Sequence, residues 1–211
     1  MPPKLKTEAE KQQIRTTIID AARELFVNKG IEAVTMRSIA KRIGYSATTI
    51  YLYFADKEAL LRAICDTDLL KLAATLKEVM SIEDPVERLL TFGHTYSLFS
   101  LSHPNHYRLM FMMPRPAHAP ESSSIIYNNY EQDAYCQLKT VVNQVYEAGL
   151  FKPELNDPEL IAQTLWAGTH GVCALHNTMA NDTWINWRDI ETRLLAMREL
   201  FIRGMLKEPY E

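Results

Sequence analysis

The chain is short of the features that mark several classes of protein. It has three cysteines in 211 residues, Cys65, Cys136 and Cys173. An odd, widely spaced set builds neither a disulfide framework nor a zinc site, so these residues read as buried apolar fillers. Glycine is scarce, at seven, and no phosphate-cradling or dinucleotide-binding loop occurs. A nucleophile elbow and an H-E-x-x-H helix are missing as well. His103 and His106 are spaced as a pair, but no acidic or thiol ligand stands beside them at ligand spacing. They read as loop or surface residues. The sequence therefore predicts no catalytic residue, no metal and no cofactor. No apolar run reaches the roughly 18 residues that cross a bilayer. The charged start, MPPKLKTEAEKQQ, lacks the apolar centre of a signal peptide. These absences predict a cytoplasmic protein with no membrane partner.

Strand-like alternation is missing too, and what is present is helical spacing. The chain reads as all-α, with about nine helices. A hydrophobic content of 47% suffices for one large domain or two modest ones. Net charge is only −3, but it is unevenly spread. Residues 1–65 hold 11 Lys/Arg against 7 Asp/Glu, a balance of +4, and residues 66–211 hold 12 against 19, a balance of −7. A basic module on an acidic body suits a protein that presents one end to a polyanion. The expected domains are 1–65 and 66–211.

The N-terminal arm carries Lys4 and Lys6. A first helix over about Thr7–Lys29 has an apolar stripe of Ile14, Ile18, Ala21, Ala22, Leu25 and Phe26, and Gly30 ends it. The stretch TMRSIAKRIGYSATTIYLYFADK, from Thr35 to Lys57, then organises the chain. Thr35 is an N-cap, and Met36, Ile39, Ala40 and Ile43 recur at helical spacing. Gly44 ends that helix, and Ser46 caps a second one over Ala47–Phe54. Two short helices around a tight Gly turn form a helix-turn-helix pattern. The outward side of the second helix carries Ala47, Thr48, Thr49, Tyr51 and Tyr53, chemistry suited to base edges and phosphates.

The run T-M-R-x-I-A-x-R-x-G-x-S-x-x-x-I-Y-x-Y-F-x-x-K-E-A-L-L is similar to the DNA-binding signature of TetR/AcrR-type transcriptional regulators, over roughly Ile18 to Ile64. The resemblance implies Ala47, Thr48 and Thr49 at base edges, and Thr35, Ser46, Tyr51, Tyr53 and Lys57 at phosphates. Of the two tyrosines, which point in different directions, Tyr51 is favoured for the phosphate. The second helix lacks Arg, Asn and Gln, so thymine methyl contacts, water and DNA shape are expected to carry specificity.

Beyond this module, Asp56 caps a helix running to about Met80, and Asp84-Pro85-Val86-Glu87 starts another. His103-Pro104-Asn105 breaks that helix, and His106–Met113 forms a short one. Pro114, Pro116 and Pro120 with Ser122–Ser124 make a loop. Further helices are expected over about Ser124–Ala148, from Asp157 to about Ala180, and from Arg188 to Lys207. Trp166-Ala167-Gly168-Thr169-His170-Gly171 resembles the W-x-x-x-H-G motif of one C-terminal domain type in the same family. Two glycines inside a helix mark a close approach by another helix, from this subunit or a second.

The resemblance further implies an unknown small apolar or amphipathic effector held among the central helices. Candidate contacts are Phe92, Tyr96, Phe99, Tyr107, Met110, Phe111, Met113, Tyr127, Tyr130, Trp166 and His170, with an ordinary core as the competing reading. It also implies a homodimer, with Leu165, Val172, Leu175, Leu194, Leu195, Met197, Leu200 and Phe201 as interface candidates. The expected protein is a homodimeric, ligand-responsive regulator, a repressor, on a near-palindromic double-stranded DNA operator. The alternatives are a DNA-binding regulator without a small-molecule effector, or an activator.

Overall fold

A computed structural model describes residues 7–113 and 123–207. Lys4 and Lys6 of the expected arm, and Pro114, Pro116, Pro120 and Ser122 of the expected loop, lie outside these residues. Among the described residues there are nine α-helices and no strand beyond one isolated bridge. The chain divides into two compact units. One takes the residues up to Asp68 together with Asn105–Ser124, and the other takes Leu69–Pro104 and the residues from Ile125 onward.

In the first unit, α1 spans Glu8–Lys29 behind a Thr7–Glu10 capping box. α2 (Met36–Ile43) begins with a reciprocal cap: Thr35 Oγ1 accepts from Ser38 N at 3.1 Å, and Ser38 Oγ accepts from Thr35 N at 3.0 Å. Gly44 ends α2 in the left-handed region (φ 72°), where a side chain would be strained. α3 covers Ala47–Tyr51, shorter than expected. After it the backbone tightens, and Tyr53 N and Phe54 N both donate to Ile50 O. α4 (Lys57–Lys77) gives its first part to this unit. The core joins Ile18, Ala22 and Phe26 of α1, Ile39 of α2, Ile50 of α3, and Leu60 and Ile64 of α4. Each large aliphatic or aromatic side chain buried there contributes about 1.5–3 kcal/mol.

The segment after Asn105 belongs to this unit as well. The helix break expected at His103-Pro104-Asn105 is present, and Pro104 then opens α6 (Pro104–Tyr107), as suits a residue that needs no N–H partner in a first turn. Residues Arg108–Met112 continue as a π-helical turn. Leu109 enters the core, and its carbonyl accepts from Cys65 Sγ at 3.7 Å. Asp68, at 1% side-chain exposure, anchors a buried polar hub. Arg23 donates to it twice, Nη2 to Oδ1 at 2.6 Å and Nε to Oδ2 at 3.1 Å, and His106 Nδ1 lies 2.9 Å from the same Oδ1. Burial alone would lower the Arg23 pKa, but hydrogen bonds and charge from Asp68 and Asp20 outweigh it and raise the value. Asp66 accepts from Ser123 Oγ, Ser124 N and Ser124 Oγ at 2.6–3.0 Å.

The second unit holds the rest of α4, a 3-10 turn over Glu78–Ser81, α5 (Pro85–Ser102), α7 (Ala134–Glu147), α8 (Pro158–Met179) and α9 (Ile190–Met205). α5 packs on α7 and α8, and α8 packs on α7 and α9. Asp84, Asp157 and Asp189 cap α5, α8 and α9. The helix expected over Ser124–Ala148 starts only at Ala134. Asn128 takes a positive φ of 58°, and Asp133 Oδ1 accepts from Tyr135 N and Cys136 N, which fixes the start there. Gln137, fully buried, donates from Nε2 to the carbonyls of Ala73 and Tyr130 and ties the preceding turns to α4. After α9 the chain pairs with the α7–α8 connection. Lys152 N donates to Met205 O at 2.9 Å, and Lys207 N donates to Leu150 O at 3.0 Å.

Candidate nucleic-acid interface

The outward side of α2 and α3 is assembled by the closed core beneath it. Ile39 and Ile50 are fully buried, which turns Thr48, Tyr51 and Leu52 outward. Thr48 is exposed, Tyr51 is 52% exposed and Leu52 is 79% exposed. Ala47 and Thr49 are partly covered, and Thr35 and Ser46 are exposed. Ser46 Oγ accepts from Thr49 N at 3.1 Å and lies 2.9 Å from Thr49 Oγ1, so both hydroxyls serve the helix start. The two tyrosines differ: Tyr51 stands out, whereas Tyr53 packs against the core. Arg37 and Lys41 of α2 are exposed on the same unit, and Arg42 pairs with Glu24 at 3.2 Å.

Lys57, expected at a phosphate, has a partner within the chain. It is partly buried, and Nζ donates to Ile31 O at 2.9 Å, bracing the α1–α2 connection against the start of α4. Leu52 was absent from the sequence-based set. Its helical spacing from Thr48 was the available signal, but an apolar residue beside Phe54 reads as core.

The eleven candidate effector residues do not form one group. Tyr107, Met110, Phe111 and Met113 lie on the segment that belongs to the first unit, where Tyr107 and Met110 have no exposed surface. Phe92, Tyr96, Phe99, Tyr127, Tyr130, Trp166 and His170 lie in the second unit. Phe92, Tyr96 and Phe99 are buried on α5, and Tyr127 and Tyr130 sit on turns rather than on a helix.

Within that group a polar chain links α5 to α8. Trp166 Nε1 donates to Tyr96 Oη at 3.1 Å, and Tyr96 Oη lies 3.0 Å from His170 Nδ1. Burial pushes the His170 pKa below its ordinary value. A ring kept neutral in this way can accept the phenol hydrogen at Nδ1. Tyr135, not among the candidates, flanks Trp166 at 5.7 Å between ring centroids and donates to Glu159 Oε1 at 2.6 Å.

Other polar candidates are engaged elsewhere. His103 stacks on Phe99 and His106 is held by Asp68, so the two histidines do not act as a pair. Cys65 and Cys173 are buried, Cys136 is partly covered, and none of the three is in a disulfide among the described residues. Burial pushes the Cys173 thiol up, away from thiolate chemistry.

The interface candidates on α8 and α9 also separate. Leu165 is buried within the chain at 9% exposure. Leu175, Leu195 and Leu200 are exposed, while Val172, Leu194, Met197 and Phe201 are partly covered. No residue of α9 is fully buried. The close approach signalled by Gly168 comes from the same chain: a Cβ there would lie 2.4 Å from Phe201 Cζ. Around Gly171 a Cβ would meet no atom within 4 Å.

Two stretches of the chain match known families. Residues 18–64 match the family described as bacterial regulatory proteins, tetR family, and residues 89–180 match a tetracyclin repressor-like C-terminal domain. The HTH-type transcriptional regulator UidR of Escherichia coli (strain K12) is 33% identical over 91 residues, covering 41% of this chain and 46% of that protein. The chain thus matches about half the length of this curated relative. A Rhodococcus sp. RHA1 protein of unknown function superposes with a TM-score of 0.73 at 22% identity, covering 98% of this chain and 100% of that one. The fatty acid degradation regulator FadR from Bacillus halodurans gives a TM-score of 0.71 at 19% identity, over 93% and 96%. These structural likenesses show the fold.

Proposed function

The chain belongs to the tetR family of bacterial regulatory proteins, and from that premise we propose a homodimeric transcriptional repressor that binds a near-palindromic DNA operator in the cytoplasm and responds to a small ligand. The observation that carries the DNA reading is the outward side of α2 and α3. Exposed Thr48 and Tyr51 stand with basic Arg37 and Lys41 over a core closed by Ile39 and Ile50. Thr35, Ser46, Ala47 and Thr49 complete the contact set, with Tyr53 and Lys57 in supporting places. The dimer reading rests on α9, which buries no residue in its own chain and leaves Leu195 and Leu200 exposed. Two copies would set their recognition helices in successive major grooves, about 34 Å apart.

The effector reading rests on the Trp166–Tyr96–His170 chain, polar groups set among aromatic side chains in the second unit. An effector lowers operator affinity only if it binds the DNA-incompetent state more tightly. The burial of Phe92, Tyr96 and Phe99 favours a second reading, a DNA-binding regulator with no effector. Thermal stabilisation by one class of small molecule in a screen decides for the first reading, and none across the screen decides for the second.

Selection of bound duplexes from a random pool at near-physiological salt tests the DNA reading. Recovery of one near-palindromic site is the expected result. Sequence-blind, salt-sensitive retention, or no retention, overturns it. Tyr51→Phe is expected to weaken binding to all duplexes alike and to leave the preferred sequence unchanged.

A further inference from the structure

The outward side of α3 offers little that can read a base by hydrogen bonds. It carries no guanidinium and no amide, and the Ser46 and Thr49 hydroxyls are committed to the helix start. Its most exposed large apolar side chain is that of Leu52, at 79%. Leu52 has helical backbone angles (φ −70°, ψ −21°), so the spacing of α3 holds through it. Thr48, Tyr51 and Leu52 stand at i, i+3 and i+4 and share one face, opposite the buried Ile50. That face therefore presents a methyl-bearing Thr, a phenol and an aliphatic group in one stripe. In the major groove the one apolar group on a base pair is the C5-methyl of thymine.

We infer that Leu52 is a specificity-determining residue, which reads thymine through its C5-methyl in the major groove. The inference rests on the DNA-binding reading above. It predicts half-sites with thymine at the position facing Leu52, and discrimination by lost apolar contact rather than by lost hydrogen bonds. Exposed Arg37 and Lys41 on α2 supply the attraction to phosphate that sequence reading by an apolar group lacks.

Deoxyuridine, which is thymidine without that methyl, tests the inference. Each thymine of the selected site is replaced by deoxyuridine in turn, on both strands, and the affinity of the full chain is measured at fixed salt. Wild type is expected to lose about fourfold at the contacted thymine of each half-site, the value of one buried methyl group. Leu52→Ala is expected to show no loss there, and Leu52→Met is expected to restore it. Leu52 is exposed, so both variants should melt with the wild type. Three results overturn the inference: deoxyuridine tolerated at every position, a Leu52→Ala protein that keeps the same penalty, or a selected half-site without thymine. Failure to retain any sequence selectively is a different result, and it overturns the DNA-binding reading together with this one.

Discussion

The helix pairs α2–α3 and α8–α9 are built on opposite plans. The first buries Ile39 and Ile50 fully and turns a mixed set outward, with Arg37, Lys41 and Thr48 beside Tyr51 and Leu52. The second keeps large apolar side chains outside: Leu175 is 45% exposed, Leu195 56% and Leu200 67%, and α9 has no fully buried residue. Both faces are open in the single chain, so exposure alone does not distinguish them. Their chemistry does. Hydroxyl and basic groups among the apolar ones suit the groove of a hydrated polyanion, whereas several exposed leucines on one helix pair are stabilised by a second apolar surface.

The comparison breaks first if the closed core of the N-terminal unit is not closed by its own residues. Asp68→Ala would leave the Arg23 guanidinium, 8% exposed, with only the exposed Asp20 carboxylate as an ion-pair partner. The expected loss is about 3–5 kcal/mol in urea unfolding. Arg23→Met combined with Asp68→Leu should recover most of it. A loss below about 1 kcal/mol for Asp68→Ala would show that the hub does not hold this unit together.

The α8–α9 side is sharpened by its two glycines. Gly168→Ala drives a methyl group into the Phe201 ring and should cost about 1–3 kcal/mol. Gly171→Ala meets no atom within 4 Å in its own chain. It should raise helix stability by up to about 1 kcal/mol. A Gly171→Ala protein that is less stable, and dissociates at higher concentration in sedimentation, would place a second copy against that surface.

On the α2–α3 side, Thr35→Ala removes one half of a reciprocal cap, with an expected cost of about 1 kcal/mol by thermal unfolding. Thr35→Ser should restore it. Equal stability of the Ala variant would show that packing alone sets this helix.

The smallest effect expected is one of pH. Burial lowers the His170 pKa from its ordinary 6.5. Below 6.5 the unfolded chain takes up a proton that the folded chain resists, so this contribution is present above pH 6.5 and is lost as pH falls through the folded value. His176, lowered by burial and by Arg193, acts in the same direction. His170→Gln should therefore flatten, but not abolish, the acid-side fall in melting temperature. An unchanged slope would show that His170 keeps its ordinary affinity for the proton.

What the sequence disclosed was local. Thr35, Ser46, Asp84 and Asp157 cap their helices as their positions suggest, because a cap needs only the next three residues. The helix-turn-helix arrangement was legible in the same way, from Gly44 between the Thr35 and Ser46 caps, and the family signature agreed with it. What stayed hidden was non-local or concerned a single backbone angle. Arg23 and Asp68 are 45 residues apart, and no spacing announces their bond. Lys57 looked like a free cation because its partner is a backbone carbonyl 26 residues earlier. Tyr127 and Tyr130 have helical spacing, yet the left-handed Asn128 between them and the Asp133 cap after them leave no helix there. Tyr107 and Met110 had the composition of a pocket, and only the fold assigns their segment to the first unit.

The two backbone bonds at the end of α9, from Lys152 N to Met205 O and from Lys207 N to Leu150 O, have a use as reporters. They are the means by which the end of α9 is fastened to the α7–α8 connection, and neither belongs to a helix that could protect it alone. Their amide protons can exchange with solvent only when that fastening lets go. The exchange rate at Lys152 and Lys207 therefore counts the openings of α9, and any event that grips or frees this helix will be visible at two positions away from its exposed leucines.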